Sequence, residues 1–91
     1  NLVLNVEEKP KIPKSNLVIL PVYAFNPMIF DALKHTKIGH NKELQVTDVI
    51  KTLINWNESV VASKMTKQWF DIGTPHNYFK AITHSYKQNK I

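Results

Sequence analysis

Residues 17–25 have the sequence LVILPVYAF, and the fold class that we expect follows from this segment. Its residues are apolar almost throughout and lack the polar alternation of a strand with one face in solvent. A strand that is buried on both faces belongs to a sheet with helices on both sides. Pro21 removes one hydrogen bond of the ladder, which favours an edge or a bulge there. The segment therefore predicts a strand of a helix-covered α/β sheet.

The flanking segments predict three more short strands and three helices. Asparagine and threonine are strong N-caps and proline suits the first helical position, so Asn26-Pro27 and Thr74-Pro75 each predict a helix start. Apolar residues recur at the spacing of one helical face over residues 46–55. The predicted order is β-β-α-α-β-β-α, with strands at 2–7, 17–25, 59–65 and 69–72 and helices from 27, at 46–55 and at about 75–87. This order indicates an α/β or α+β fold.

Three helices are few to cover both faces of the strand at residues 17–25. We expect the third helix to bury one stripe of side chains, formed by Pro75, Tyr78, Phe79, Ile82 and Tyr86. The chain also begins directly in a strand-like run, LVLNV at residues 2–6. We therefore expect that the chain either forms a homo-oligomer or is a fragment of a larger sheet.

The composition excludes several classes of protein. The 91 residues are 43% hydrophobic and 21% charged, which is typical of globular proteins, and no apolar run approaches the roughly 20 residues of a membrane span. The absence of cysteine excludes disulfides and thiol catalysis, and it fits a reducing, cytoplasmic location. The net charge of +5 comes from dispersed lysines without arginine, which argues against a nucleic-acid partner and suits anionic small molecules.

Few side chains are arranged for chemistry. The four histidines lack the spacing of metal ligands, and two glycines cannot form a glycine-rich phosphate loop. Glu8 and Lys9 lie at the end of a predicted strand, just before Pro10. Strand ends are where α/β proteins bind ligands. The two residues could instead be solvated loop charges. Asp71 lies in an apolar, aromatic stretch and must be hydrogen-bonded, ion-paired or metal-bound there, or cap the turn that follows it. Glu43 could be a functional-site residue, or its negative charge could simply stabilise the start of the helix that follows it.

Four segments in order resemble the C-terminal half of the sugar-phosphate nucleotidyltransferases. They are VEEKP at residues 6–10, VYAF at 22–25, KELQVTD at 42–48 and WFDIGTP at 69–75. The resemblance covers essentially the whole chain. It implies that residues 1–91 are the C-terminal, sugar-phosphate-binding part of a doubly wound mixed α/β sheet, without the N-terminal half that holds the nucleotide.

The resemblance also implies roles for five residues. Lys9 would contact the phosphate of the sugar and Glu8 its hydroxyls, while Tyr23 and Glu43 would lie near the sugar. Asp71 would be the second aspartate that holds Mg²⁺, so that Lys9 and Asp71 are the expected catalytic residues. Many members of the family have a glycine just before the Val-Tyr step. Here the residue is proline, which puts the backbone contacts along this strand in doubt.

The function that the resemblance implies is transfer of a nucleotidyl group from a nucleoside triphosphate to a sugar 1-phosphate, releasing pyrophosphate. Glucose 1-phosphate is the expected acceptor. We expect activity in the full-length protein and none in the 91-residue chain alone, because the phosphate loop and the first metal-binding aspartate are absent. Two alternatives remain: a non-catalytic sugar-phosphate-binding or regulatory module, and a small assembly domain.

Overall fold

A computed structural model describes residues 1–89, apart from the side chain of His40. It contains three α-helices, α1 at Met28–His35, α2 at Val46–Asn55 and α3 at Pro75–Gln88, with a short turn at His40–Lys42 in which Asn41 and Lys42 have positive φ angles. The three predicted helices are thus confirmed, each within about a residue of its expected bounds. No helix within the described residues has the length and apolarity needed to cross a membrane.

α3 starts as expected, whereas α1 begins one residue later than expected, with Pro27 in the N-cap position instead of the first helical position. The Asn26 side-chain oxygen accepts a hydrogen bond from the Met28 N–H at 3.0 Å, at the start of α1. Thr74 Oγ1 accepts one from the Asn77 N–H at 3.2 Å, and Pro75 is the first residue of α3. These bonds satisfy N–H groups that have no partner within the helix.

The four predicted strands do not form within residues 1–89, which contain one isolated antiparallel β-bridge, between Leu2 and Val61. The Val3 N–H donates to the Val60 carbonyl at 2.7 Å beside this bridge. The bridge joins two of the segments predicted as strands, so their pairing begins but does not extend into a ladder. The four-strand prediction is therefore not supported.

Residues 17–25 do not pair with a strand, so the prediction of a strand buried on both faces is wrong for this structure. Val22 is 80% exposed, and its N–H donates to the Leu20 carbonyl at 2.8 Å in a tight turn around Pro21. A strand needs a neighbouring strand to accept and donate its backbone hydrogen bonds. The described residues do not place one beside this segment, and its apolar side chains consequently face water.

The core lies between α1 and α2, which are the one pair of helices in contact within the described residues. Ala32 is completely buried and Val49 is 1% exposed, and Leu53 completes this cluster. Ile29 and Val60 pack against it. The apolar stripe predicted for residues 46–55 is confirmed at its centre, while Val46 at its start is exposed.

Two threonine hydroxyls reinforce the same helix pair. Thr36 follows the last residue of α1, and its Oγ1 lies 2.8 Å from Thr52 Oγ1 on α2. Thr36 also donates to the Ala32 carbonyl at 2.6 Å. The hydroxyls are partly buried, so each gains a partner in place of the water it loses.

The α3 stripe that we expected to be buried is exposed, and α3 has no buried residue. Phe79 is 68% exposed, and Tyr78, Ile82 and Tyr86 are exposed as well. The amphipathic pattern correctly predicted a helix. Its apolar side chains, however, are buried only where a second layer packs against the helix. Among the described residues, α3 contacts neither α1 nor α2.

The chain has far more surface than a folded domain of its mass. Its accessible area is 8200 Å², whereas a folded monomer of 10.5 kDa exposes roughly 5,400 Å². Its radius of gyration is 16.3 Å, compared with about 12 Å for a compact domain of this length. The apolar faces of residues 17–25 and of α3 account for part of the surplus, because neither has a covering layer.

We predict that the isolated 91-residue chain is marginally folded or self-associated. Its exposed apolar side chains would gain by packing against any available surface, including a second copy. Size-exclusion chromatography over a range of concentrations should show association, and thermal unfolding should be broad. A strictly monomeric species with a sharp unfolding transition would contradict this prediction.

Candidate functional site

Two of the segments that suggested a site meet at the start of α2. Thr47, in the KELQVTD segment, donates a hydrogen bond from its hydroxyl to Glu8 Oε2 at 2.6 Å. Thr47 is 7% exposed and Glu8 is half-buried. The two residues are 39 positions apart in the chain. The bond therefore fixes the VEEKP segment against α2 and places Glu8 at a defined point of the fold.

Lys9, the next residue, has a strained backbone. Its φ angle is 43°, in the left-handed region that L-residues other than glycine rarely adopt. The residue before a proline normally prefers an extended conformation, so Pro10 makes this angle less favourable still. Such strain costs about 1–2 kcal/mol, and residues that retain it cluster at ligand sites. The exposed Lys9 side chain is thus carried on a backbone that the surrounding structure constrains.

An ion pair closes the loop that carries Lys9. Lys14 Nζ lies 2.7 Å from Glu7 Oε1. The hydrogen bond from Lys14 lowers the pKa of Glu7, and the same bond raises the pKa of Lys14. The charged pair therefore persists until the pH falls through the lowered pKa of Glu7 or rises through the raised pKa of Lys14. Because Lys14 is exposed and Glu7 is only half-buried, solvent screens the pair and it contributes little to stability.

Glu43 lies in a compact loop that leads into α2. Its Oε2 accepts a hydrogen bond from Gln45 Nε2 at 3.3 Å, and its carbonyl accepts one from the Gly39 N–H at 3.1 Å. A side chain at Gly39 would collide with the carboxylate of Asp48 on α2, whose Oδ2 is buried without a hydrogen-bond partner in the described residues. The close approach of Asp48 explains why a glycine occupies position 39.

Asp71 caps the turn before α3. Its Oδ1 accepts a hydrogen bond from the Gly73 N–H at 3.0 Å, which is the turn bond that the sequence left open as an alternative to a ligand role. Asp71 is exposed, so burial does not force a partner on this carboxylate. The second oxygen, Oδ2, can still bind a cation.

The carboxylate of Asp71 is a suitable ligand for Mg²⁺, as one among several. Mg²⁺ prefers oxygen, commonly takes one or two carboxylates, and completes its octahedron with phosphates and water. Among the side chains that the structure describes, no group of three or more histidine, aspartate or glutamate residues is placed to hold a metal ion. These residues can therefore offer a single carboxylate but not a closed metal cage.

Tyr23 is partly exposed and stacks on Phe25, with 5.7 Å between ring centroids and 13° between ring planes. The expected roles of Tyr23, Glu43 and Asp71 remain predictions. Thr47 was not among the predicted site residues, although the threonine of KELQVTD was part of the resemblance. Its partner could not be found by local reasoning, because Glu8 is distant in sequence.

The chain is similar in sequence to one family of known proteins. Residues 1–88 match the sequence model of the nucleotidyl transferase family. The chain is 39% identical over 90 residues to the bifunctional protein GlmU of Methanococcus aeolicus, covering 99% of this chain and 22% of that protein. It is 39% identical over 89 residues to a UTP–glucose-1-phosphate uridylyltransferase of Mycoplasma genitalium, covering 98% and 30%.

A glucose-1-phosphate thymidylyltransferase of Streptomyces griseus is 37% identical over 71 residues, covering 78% of this chain and 20% of that protein. The chain thus spans between a fifth and three tenths of the length of these relatives. No solved structure shows a significant match to it.

We predict that glycine is more stabilising than alanine at position 9, because glycine relieves the left-handed strain and alanine retains it. The Lys9→Gly variant of the complete protein should be more stable than Lys9→Ala by about 1 kcal/mol. Lys80, an exposed lysine in the interior of α3, is the matched control, since alanine is favoured over glycine inside a helix by about 1 kcal/mol. Thermal unfolding of the four variants tests this, and the same order at both positions would contradict it.

Proposed function

The chain belongs to the nucleotidyl transferase family, and we propose that it is the sugar-phosphate-binding part of an enzyme that acts on sugar 1-phosphates. In the complete protein, the enzyme would transfer a nucleotidyl group from a nucleoside triphosphate to the sugar 1-phosphate. The names of the uridylyl- and thymidylyltransferase relatives support glucose 1-phosphate as the acceptor. The observation that carries the proposal is the attachment of Glu8 to α2, with the exposed Lys9 beside it.

In this reaction, a phosphate oxygen of the sugar 1-phosphate attacks the α-phosphorus of the nucleoside triphosphate. A new P–O bond forms as the bond from the α-phosphorus to the bridging oxygen breaks, and pyrophosphate leaves with that electron pair. Both reactants are anions that repel each other. The protein therefore contributes mainly by neutralising charge and aligning the two groups.

Each proposed residue has a chemical task. Lys9 offers a compact cation to the phosphate of the sugar, and Glu8 accepts hydrogen bonds from sugar hydroxyls. Tyr23 and Glu43 would complete the sugar pocket. Asp71 would hold Mg²⁺, which when bound supplies positive charge to the phosphate oxygens.

The nucleotide-binding half and the first metal-binding aspartate would lie outside residues 1–91, so the chain alone is expected to be inactive. The same proposal makes these residues the C-terminal portion of one domain. The cytoplasmic location, the homo-oligomer and the absence of nucleic-acid and membrane partners remain predictions.

We predict that Lys9→Ala weakens use of the sugar 1-phosphate and leaves nucleoside triphosphate binding nearly intact. A charge-assisted hydrogen bond contributes about 1.5–3 kcal/mol, which corresponds to about a 10- to 150-fold loss in kcat/KM. Steady-state kinetics of the complete enzyme with each substrate varied in turn measures this. Lys11→Ala, at an exposed lysine two residues away, is the control and should be near wild type. Equal losses for both substrates would contradict a specific phosphate contact.

We predict that Asp71→Asn lowers turnover by at least about 100-fold, because it removes the charge that holds Mg²⁺. Asparagine keeps the oxygen that accepts from Gly73, so folding should survive. Raising the Mg²⁺ concentration should recover part of the loss by mass action. The matched control is Asp31→Asn, at an exposed aspartate in α1.

The same variant separates a metal-binding role of Asp71 from a structural one. Near-normal turnover of Asp71→Asn without a response to Mg²⁺ would show that Asp71 only caps its turn. Asp71→Ala, which also removes the cap, should lower the melting temperature more than Asp71→Asn does.

A further inference from the structure

We propose that Thr47 is a positioning residue for sugar binding. Its hydroxyl holds the Glu8 carboxylate in one orientation, so that the other carboxylate oxygen is presented to a sugar hydroxyl. The inference rests on the proposed function, because it takes Glu8 as a sugar contact. It assigns a task to a buried hydroxyl on α2 that the proposed reaction does not otherwise use.

The geometry of the bond is that of a strong contact. The 2.6 Å between Thr47 Oγ1 and Glu8 Oε2 lies in the short range of hydroxyl-to-carboxylate bonds, about 2.5–2.7 Å. Oε2 accepts from Thr47, and an ionised carboxylate can accept at both oxygens. Oε1 is therefore the atom that would receive a hydrogen bond from the sugar.

Thr47 is well suited to fix this direction. It is the second residue of α2, and its β-branched side chain has few rotamers in a helix. Only 7% of it is exposed, and the buried Val49 and Ile50 follow on the same helix. The hydroxyl is consequently held in place before any ligand arrives. A free glutamate would lose side-chain entropy on binding a sugar, and the bond to Thr47 removes part of that loss in advance.

The position of Glu8 also affects Lys9. The two residues share a peptide bond, and the φ angle of Lys9 is 43°. Movement of Glu8 away from α2 would shift the backbone that carries the proposed phosphate-binding lysine. Thr47 thus acts on the sugar and phosphate contacts together, without touching either group itself.

The test is Thr47→Val in the complete enzyme, because valine keeps the shape and removes the donor. The KM and the equilibrium dissociation constant for glucose 1-phosphate should rise about 3- to 10-fold, the effect of one hydrogen bond. The KM for the nucleoside triphosphate should not change. Thr47→Ser, which restores a hydroxyl, should recover most of the affinity. If the valine variant does not fold, Thr47→Ala with the same serine rescue replaces it.

Thr52→Val is the matched control. Thr52 is a partly buried threonine of the same helix whose hydroxyl bonds to Thr36 instead of Glu8. Its substitution should lower the melting temperature and leave the dissociation constant for glucose 1-phosphate unchanged. An equal loss of sugar affinity in Thr52→Val and Thr47→Val would show a general effect on α2 and overturn the inference.

A double-mutant cycle distinguishes this inference from the proposed function. Glu8→Ala should weaken glucose 1-phosphate binding, and adding Thr47→Val should weaken it no further. If Glu8→Ala has no effect, the proposed sugar site is wrong and the inference falls with it. If Glu8→Ala weakens binding but Thr47→Val does not, or the two effects add, the inference is overturned and the proposed function stands.

Discussion

The packing of α1 against α2 is the interaction on which the rest of this structure depends. Ala32 is small enough to let the two helices approach closely, and Val49 and Leu53 fill the contact. This pair fixes the position of α2, and α2 in turn carries Thr47, to which Glu8 is bonded. A substitution that separated the helices would therefore release Glu8 and Lys9 as well, although neither residue lies in the core.

Outside this contact, much of the apolar surface that the sequence patterns predict to be buried is exposed to solvent. The accessible area exceeds that expected for a folded monomer by roughly 2,800 Å², an area comparable to a large protein–protein interface. Residues 17–25 and α3 present apolar side chains that an adjoining sheet or helix would bury. This agrees with a chain that spans at most three tenths of the length of the relatives reported above.

Features that depend on residues close together in the chain could be predicted from the sequence. Features that depend on contacts between distant residues could not. Asn26 and Thr74 bond to N–H groups two or three residues away, and the helix starts were found to within one residue. The turn bond of Asp71 is equally local, and it was foreseen as one of two alternatives. Strands require partners from elsewhere in the chain, so the apolar pattern of residues 17–25 could not establish pairing. The bond between Glu8 and Thr47 was missed for the same reason.

The most direct test of the account is a crystal structure of the complete protein with glucose 1-phosphate. We expect Lys9 Nζ within about 2.7–3.2 Å of a phosphate oxygen. Glu8 Oε1 should accept from a sugar hydroxyl while Oε2 keeps its bond to Thr47. A sugar phosphate bound at a site that includes neither Glu8 nor Lys9 would contradict the account.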